Sequence, residues 1–197
     1  MAGDLLWTDQ TKAGPRPVRR YITGHDPSTG QSIYLDVPEL MYSPVPGFGE
    51  ASRSFATTQL PASLEGDSDL KAYLSKDTTA SAARGEIIIP AGDSVWCPET
   101  ALGGVNVVNL SIDPGAVGHM HRTISLDIST CIEGEVIHEL DSGQRILLKS
   151  GDHVIQRATM HRWINASDTA RARISAVLLP CSTFQVQGKF LQEEHRF

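Results

Sequence analysis

From residue 86 onward, apolar and polar residues alternate in short runs that are separated by turn sequences such as Asp-Pro-Gly, Asp-Ser-Gly and Lys-Ser-Gly-Asp. A period of two places successive side chains on opposite faces of a β-strand, and many short strands at close spacing are typical of a sandwich or small barrel. The pattern therefore predicts an all-β domain. The strands are expected at residues 87–90, 105–112, 119–133, 135–140, 145–149, 153–157, 161–165 and 172–179.

The first 85 residues have a different pattern. Residues 18–37 contain two runs rich in Val, Ile and Tyr on either side of Asp-Pro-Ser-Thr-Gly, which predicts a β-hairpin. Residues 38–50 contain three prolines and predict a surface loop, since proline cannot continue a helix or a central strand. A further strand is predicted within residues 51–64, and a polar excursion with one short helix at 70–76 follows.

We therefore expect three regions in this 197-residue chain. Residues 1–85 form an N-terminal extension that packs on the barrel, residues 86–182 form the barrel, and residues 183–197 form a C-terminal tail. The segments 40–50 and 61–85 are long and poorly patterned, so either is a candidate for a lid.

Composition excludes several classes of protein. The formal net charge of −6 and the pI near 5.6 argue against a nucleic-acid binder, which needs clustered Lys and Arg. No apolar run is long enough to span a bilayer, and the first ten residues do not resemble a signal peptide. The three cysteines, Cys97, Cys131 and Cys181, are scattered and odd in number, which fits a reducing compartment better than a disulfide framework. These features predict a soluble, cytoplasmic protein.

Two histidines separated by one residue stand out in the predicted strand at 119–133. His119 and His121 point to the same face, with an acid at Asp127 and a further histidine at His161. If neighbouring strands bring these side chains together, three imidazoles and a carboxylate suit a divalent transition metal such as Fe, Mn, Co, Ni, Cu or Zn.

The spacing of this region resembles the two signature motifs of the cupins. The first is G-x-x-x-H-x-H-x5-D-x6-G, from Gly115 to Gly134, and the second is G-x9-H-x3-N, from Gly151 to Asn165. Residues 18–36, 120–127 and 151–165 are also similar to a subgroup of single-domain cupins that occurs in bacteria and in fungal natural-product pathways. The resemblance implies a cupin-type β-barrel, a double-stranded β-helix or jelly roll, with a metal in its mouth.

The resemblance also implies a ligand set. His119, His121 and His161 match the three ligand histidines, and Asp127 takes the place of the family's glutamate. The acid here is shorter and lies one residue further from the histidine pair. Asp127 therefore either reaches the metal through a bulge near residues 123–125 or holds one of the ligand histidines.

Alternation along the strands predicts further residues of the cavity. Ser129 and Cys131 share the face of Asp127, Trp163 shares the face of His161, and at most one of Gln156 and Arg157 points inward. These five side chains are the candidates for substrate contact, although core packing explains Trp163 at least as well and Cys131 better.

Three functions remain open. The leading one is a metal-dependent oxidoreductase of the dioxygenase type that acts on a small aromatic or polyketide-like molecule, where the choice of oxidation comes from the resemblance. The second is a lyase or isomerase for decarboxylation, dehydration or cyclisation, in which the metal is a Lewis acid and His138 or Asp127 transfers a proton. The third is a non-catalytic small-molecule-binding cupin. We also expect a homodimer, since single-barrel cupins commonly pair through their sheets.

Overall fold

The computed structural model describes residues 18–57, 60–74 and 104–196. These residues belong to two compact units, one within residues 1–39 and one within residues 40–197. The predicted strand at 87–90 and the residue Cys97 lie outside the described part of the chain.

The first unit contains the predicted hairpin, in which β1 (Thr23–His25) pairs antiparallel with β2 (Ser32–Tyr34). The Asp26 carboxylate organises the turn by accepting hydrogen bonds from the backbone N–H groups of Ser28 and Thr29, at 2.8 and 2.9 Å. The Ser28 hydroxyl donates to the same oxygen, and these hydrogen bonds lower the pKa of Asp26 to about 2. The side chain of Asp26 thus replaces backbone hydrogen bonding in the turn.

The second unit contains thirteen strands and one short α-helix in its described part, with a 3₁₀ turn at Glu65–Asp67 directly before the α-helix. In chain order they are β3 (Ser43–Val45), β4 (Gly49–Ala56), α1 (Ser68–Leu74), β5 (Asn106–Ile112), β6 (Met120–Arg122), β7 (Ser125–Glu133), β8 (Glu135–Leu140), β9 (Arg145–Lys149), β10 (His153–Arg157), β11 (His161–Asn165), β12 (Ala172–Pro180), β13 (Gln185–Val186), β14 (Lys189–Phe190) and β15 (Glu194–Arg196). The predicted all-β fold is confirmed, and the helix lies within the predicted polar excursion.

Two antiparallel sheets form the body of this unit. One has six strands in the order β10-β7-β12-β5-β4-β3, and the other has five in the order β15-β6-β11-β8-β9. Both sheets contribute to one buried cluster, which includes Ile112 and Ile174 from the first sheet and Val136 and Leu148 from the second. The inner faces of the two sheets therefore pack against each other, as the alternating pattern requires.

The predicted N-terminal extension contributes to the larger sheet. Residues 38–50, predicted as a loop, contain the short strand β3, and β4 pairs with β5 over its whole length. Pro44 is compatible with β3 because this strand lies at the edge of the sheet, where a missing N–H is tolerated. Gly49, at the start of β4, has a φ of 145°, and a Cβ there would lie 2.0 Å from the carbonyl oxygen of Ser111. Only glycine fits this position.

The motif glycine Gly134 forms the turn between β7 and β8, with a φ of 73°. A Cβ at this position would lie 3.0 Å from the carbonyl oxygen of Arg171. The spacing of the first motif thus reflects a tight turn that sends the chain from one sheet to the other.

The predicted C-terminal tail contains three short strands. β13 pairs with β14, and β15 pairs with β6, so the end of the chain joins the five-stranded sheet. In the part of the chain that the structure describes, Cys131 and Cys181 are free thiols, and no helix is long and apolar enough to span a membrane.

Candidate metal centre and cavity

A cavity of about 430 Å³ lies between the inner faces of the two sheets. Its wall is mostly apolar, as expected for a small-molecule pocket. The apolar lining residues are Val45, Pro46, Phe48, Val108, Leu110, Val117, Trp163, Ile174, Ala176 and Leu178, and the polar ones are His119, His121, Thr123, Asp127, Ser129, Gln156 and His161. All four predicted metal-site residues therefore face one cavity.

The strand order explains how the histidines meet. β6 lies between β11 and β15, and its central residue His121 is directly opposite His161 on one side and His195 on the other. Directly opposite residues share a face of the sheet. The imidazole rings of His121 and His161 lie 4.3 Å apart between their centroids, and His119, two residues along the chain, lies 5.0 Å from His121.

Backbone carbonyl groups set the orientation of two imidazoles. Nδ1 of His121 lies 3.1 Å from the carbonyl oxygen of His119, and Nδ1 of His161 lies 3.1 Å from that of Thr159. Since a carbonyl oxygen only accepts, each Nδ1 carries the proton and each Nε2 has a lone pair. This is the tautomer that a metal ligand needs.

Burial keeps these imidazoles neutral. It lowers the pKa of His121 to about 4, and it holds the pKa of His161 well below the ordinary value, with the nearby His121 adding to the effect. The pKa of His119 is also lowered, first by burial and then by the neighbouring His195. Neutral imidazoles are the form in which histidine binds metal ions.

Asp127 lies opposite Gln156 in the β7–β10 pair, and both side chains are buried. Nε2 of Gln156 donates to Oδ2 of Asp127 at 3.3 Å and lies 3.0 Å from Nε2 of His161. Its Oε1 lies 2.8 Å from Nε2 of His138, which therefore donates the hydrogen bond. One amide thus connects a carboxylate and two imidazoles.

The pKa of the Asp127 carboxyl lies near neutral pH. Burial raises its pKa to about 6, although the hydrogen bond from Gln156 acts in the opposite direction. A group with such a pKa can transfer protons at physiological pH. β6 ends at Arg122 and β7 begins at Ser125, so the chain passes from the five-stranded to the six-stranded sheet between His121 and Asp127.

The other predicted site residues divide into two groups. Ser129, Gln156 and Trp163 line the cavity. Cys131 does not: it lies deeper along β7, completely buried in the core cluster, because alternation fixes the face of a side chain but not its depth. Arg157 is exposed on the outer face of β10, since its neighbour Gln156 points inward. His138 is buried and does not line the cavity itself; it contacts the lining residues Gln156, His161 and Trp163, with its ring 5.3 Å from that of His161.

Sequence reasoning missed one histidine. A lone histidine near the end of a chain is usually solvated or hydrogen-bonded, and Nδ1 of His195 does lie 2.9 Å from Nε2 of His119. Its ring also stacks on His121, with 5.8 Å between centroids and 7° between planes. No motif spacing marks this residue, because the pairing of β15 with β6 joins positions more than seventy residues apart.

The donor chemistry fits a divalent transition metal, since several neutral imidazoles and a buried carboxylate face one cavity. As these side chains stand, no three His, Cys, Asp or Glu residues in the described ranges converge closely enough to bind one ion. Binding therefore requires side-chain rotations. Oδ1 of Asp127 is buried without a hydrogen bond of normal geometry, so the carboxylate has a lone pair to offer.

Comparison with known proteins identifies relatives along nearly the whole chain, although no family model matches it. The phomopsin biosynthesis cluster protein C′ of Diaporthe leptostromiformis is 33% identical over 187 residues, which cover 92% of this chain and 89% of the relative. The cupin-domain-containing oxidoreductase srdB of Neurospora crassa is 32% identical, covering 93% of this chain and 84% of the relative.

The cupin-domain-containing oxidoreductase fogC of Aspergillus ruber is 30% identical, with 91% and 81% of the two chains covered. Among solved structures, a protein with a double-stranded β-helix domain from Klebsiella pneumoniae is 24% identical over 46% of this chain and 75% of its own, with a TM-score of 0.37. Such a partial overlap adds nothing to the argument, which depends on the relatives of similar length. The chain belongs to the cupin-domain family that contains these fungal biosynthesis-cluster proteins.

Proposed function

We propose that this protein is a metal-dependent oxidoreductase that acts on a small aromatic or polyketide-like molecule. The observation that carries the proposal is the pair His121 and His161, whose Nδ1 protons are held by backbone carbonyls while both rings face a largely apolar cavity. The relatives named as oxidoreductases support the reaction class, and the relatives from biosynthesis clusters support a natural-product substrate.

The proposed ligands are His119, His121 and His161, with Asp127 either as a fourth ligand or as the acceptor of hydrogen bonds that orient the site. A redox-active divalent ion bound there supplies electron transfer between substrate and O₂.

The residues around the ligands bind and orient the substrate. Trp163 and Phe48 offer aromatic faces that exclude water and favour a planar molecule. The hydroxyl groups of Ser129 and Thr123 can form hydrogen bonds with a substrate hydroxyl or carbonyl. If Asp127 is not a ligand, its buried carboxyl, whose pKa is raised in the metal-free protein, can accept a proton from the substrate and return it.

Elemental analysis of protein without a histidine tag tests the metal, with His121→Ala as the variant and His153→Ala as the matched control. His153 is exposed on β10, on the opposite face from Gln156, so its loss leaves the cavity unchanged. We expect near-stoichiometric Fe, Mn, Co, Ni, Cu or Zn in wild type and in His153→Ala, and a large loss in His121→Ala. Equal and negligible metal in all three proteins, before and after incubation with divalent ions, contradicts the proposal.

Oxygen consumption tests the reaction class. Metal-loaded protein is incubated with phenolic acids and β-diketones under air and under nitrogen. Turnover that requires O₂ supports the oxidoreductase, and equal turnover under nitrogen contradicts it.

A second candidate is a metal-dependent lyase or isomerase, and one observation favours it. The carboxyl of Asp127 lines the cavity and has a pKa raised to about 6 by burial, which is suitable for a general base that removes a proton next to a carbonyl. The same comparison of air with nitrogen separates the two candidates.

A further inference from the structure

We propose that His195, on the C-terminal strand β15, supplies a further imidazole ligand to the metal ion. This inference rests on the proposed function, because it concerns the same ion. It adds to the three motif histidines a ligand from the last few residues of the chain.

The first support is the position of His195 in the sheet. The β15–β6 register places it directly opposite His121, and the β11–β6 register places His161 opposite the same residue. The three histidines therefore form a row across three neighbouring strands on one face of the sheet, and His121 and His161 of this row line the cavity. His119 completes the group, with its ring 5.1 Å from that of His195.

The second support is the separation of the donor atoms. Nδ1 of His195 lies 2.9 Å from Nε2 of His119. Two nitrogen ligands that are each about 2.1 Å from one ion are about 3.4 Å apart in a tetrahedral site and about 3.0 Å apart at right angles, so the observed separation is close to this range. The two nitrogens thus already have the separation of neighbouring ligands, and an ion bound between them displaces the proton that they now share.

The third support is the set of ion pairs that anchor this strand. Glu194 accepts a hydrogen bond from Arg122 of β6 at 3.3 Å, and Arg196 lies 3.9 Å from the Asp141 carboxylate. The neighbours of His195 on both sides are thus tied to the five-stranded sheet. Because alternate residues of a strand face opposite ways, these anchors direct His195 towards His121.

The test counts imidazole ligands by X-ray absorption at the Zn edge of Zn²⁺-loaded protein, in wild type, His195→Ala and His195→Gln. Gln can still form a hydrogen bond with His119 but cannot supply an imidazole, so it distinguishes a ligand from a hydrogen-bond partner. His153→Ala is the control, and circular dichroism checks that each variant is folded. A chelator competition on the same samples gives the affinity for Zn²⁺.

We expect one imidazole fewer in both His195 variants than in wild type and His153→Ala, with an affinity for Zn²⁺ at least tenfold lower. The same imidazole count in wild type and His195→Gln overturns the inference and leaves the proposed metal centre intact, provided that His121→Ala still loses the metal. If wild type itself binds no Zn²⁺, both the inference and the proposed function are wrong. If His195→Ala does not fold, the result with His195→Gln decides.

Discussion

In the metal-free protein, the free energy of unfolding of Asp127→Asn, minus that of wild type, should be larger near neutral pH than near pH 4. Asp127 is 7% exposed, and its pKa is raised from 3.8 in the unfolded chain to about 6 by burial. A raised pKa of an acid means that the folded state holds a proton that the unfolded state releases. Stability is therefore lost as the pH rises through this range. Asn has nearly the same shape, can accept the hydrogen bond from Gln156 and carries no charge.

The magnitude follows from the shift. About two pKa units at 1.36 kcal/mol per unit correspond to roughly 3 kcal/mol, most of which develops between pH 4 and pH 7. We expect the free energy of unfolding of Asp127→Asn, minus that of wild type, to increase by about 2 to 3 kcal/mol over this interval.

Urea denaturation of both proteins at several pH values, with a chelator present, measures this difference. The comparison must be made between the two proteins, because burial also lowers the pKa values of His121, His138 and His161. Those groups make the absolute stability of each protein fall below about pH 6.5, but they occur in both and largely cancel. A difference that stays constant from pH 4 to pH 7 would refute the reasoning that ionisation of the buried Asp127 carboxyl destabilises the metal-free folded protein.

Four further predictions concern the site, the fold and assembly. Gln156→Leu removes an amide that forms hydrogen bonds with three buried partners, so we expect the free energy of unfolding, measured with urea, to fall by about 2 to 4 kcal/mol and metal binding to weaken. A fall below about 1 kcal/mol would contradict a stabilising role of these hydrogen bonds. Asn165→Ala should cost a similar amount, because its amide donates to three backbone carbonyls at 2.8 to 3.0 Å, while metal binding should be retained if the side chain is purely structural. Ile174→Ala, at 1% exposure in the core, should cost about 2 to 5 kcal/mol, and Ile174→Val about 1 kcal/mol; equal losses would speak against a tightly packed core. The homodimer stays a prediction, which light scattering tests. Ile155 is 49% exposed on the outer face of β10, so Ile155→Glu should weaken the dimer if this face is the interface. An unchanged dimer would place the interface elsewhere.

Much of the fold follows from local patterns. The predicted strands between residues 105 and 179 match β5 and β8 to β12 closely, because turn sequences mark their ends. The single strand predicted at 119–133 was wrong: it is divided into β6 and β7, which lie in different sheets. The motif spacing also predicted that His119, His121, Asp127 and His161 lie together, and all four line one cavity. Prediction was weaker at the edges of the sheets: the edge strand β3 was expected to be part of a loop, and the edge strand β15, which pairs with the distant β6, part of a tail.

The sequence by itself determined that neighbouring residues of a strand face opposite sides, since a side chain's face alternates with its parity along the strand. It required that at most one of Gln156 and Arg157 point inward, and the tertiary structure decided that this residue is Gln156. Only the tertiary structure decided depth and neighbours. It placed Cys131 in the closed core, His138 behind the amide of Gln156, and His195 against His119. These outcomes depend on strand order and register between sheets, which arise from the packing of the whole core rather than from any local run of residues.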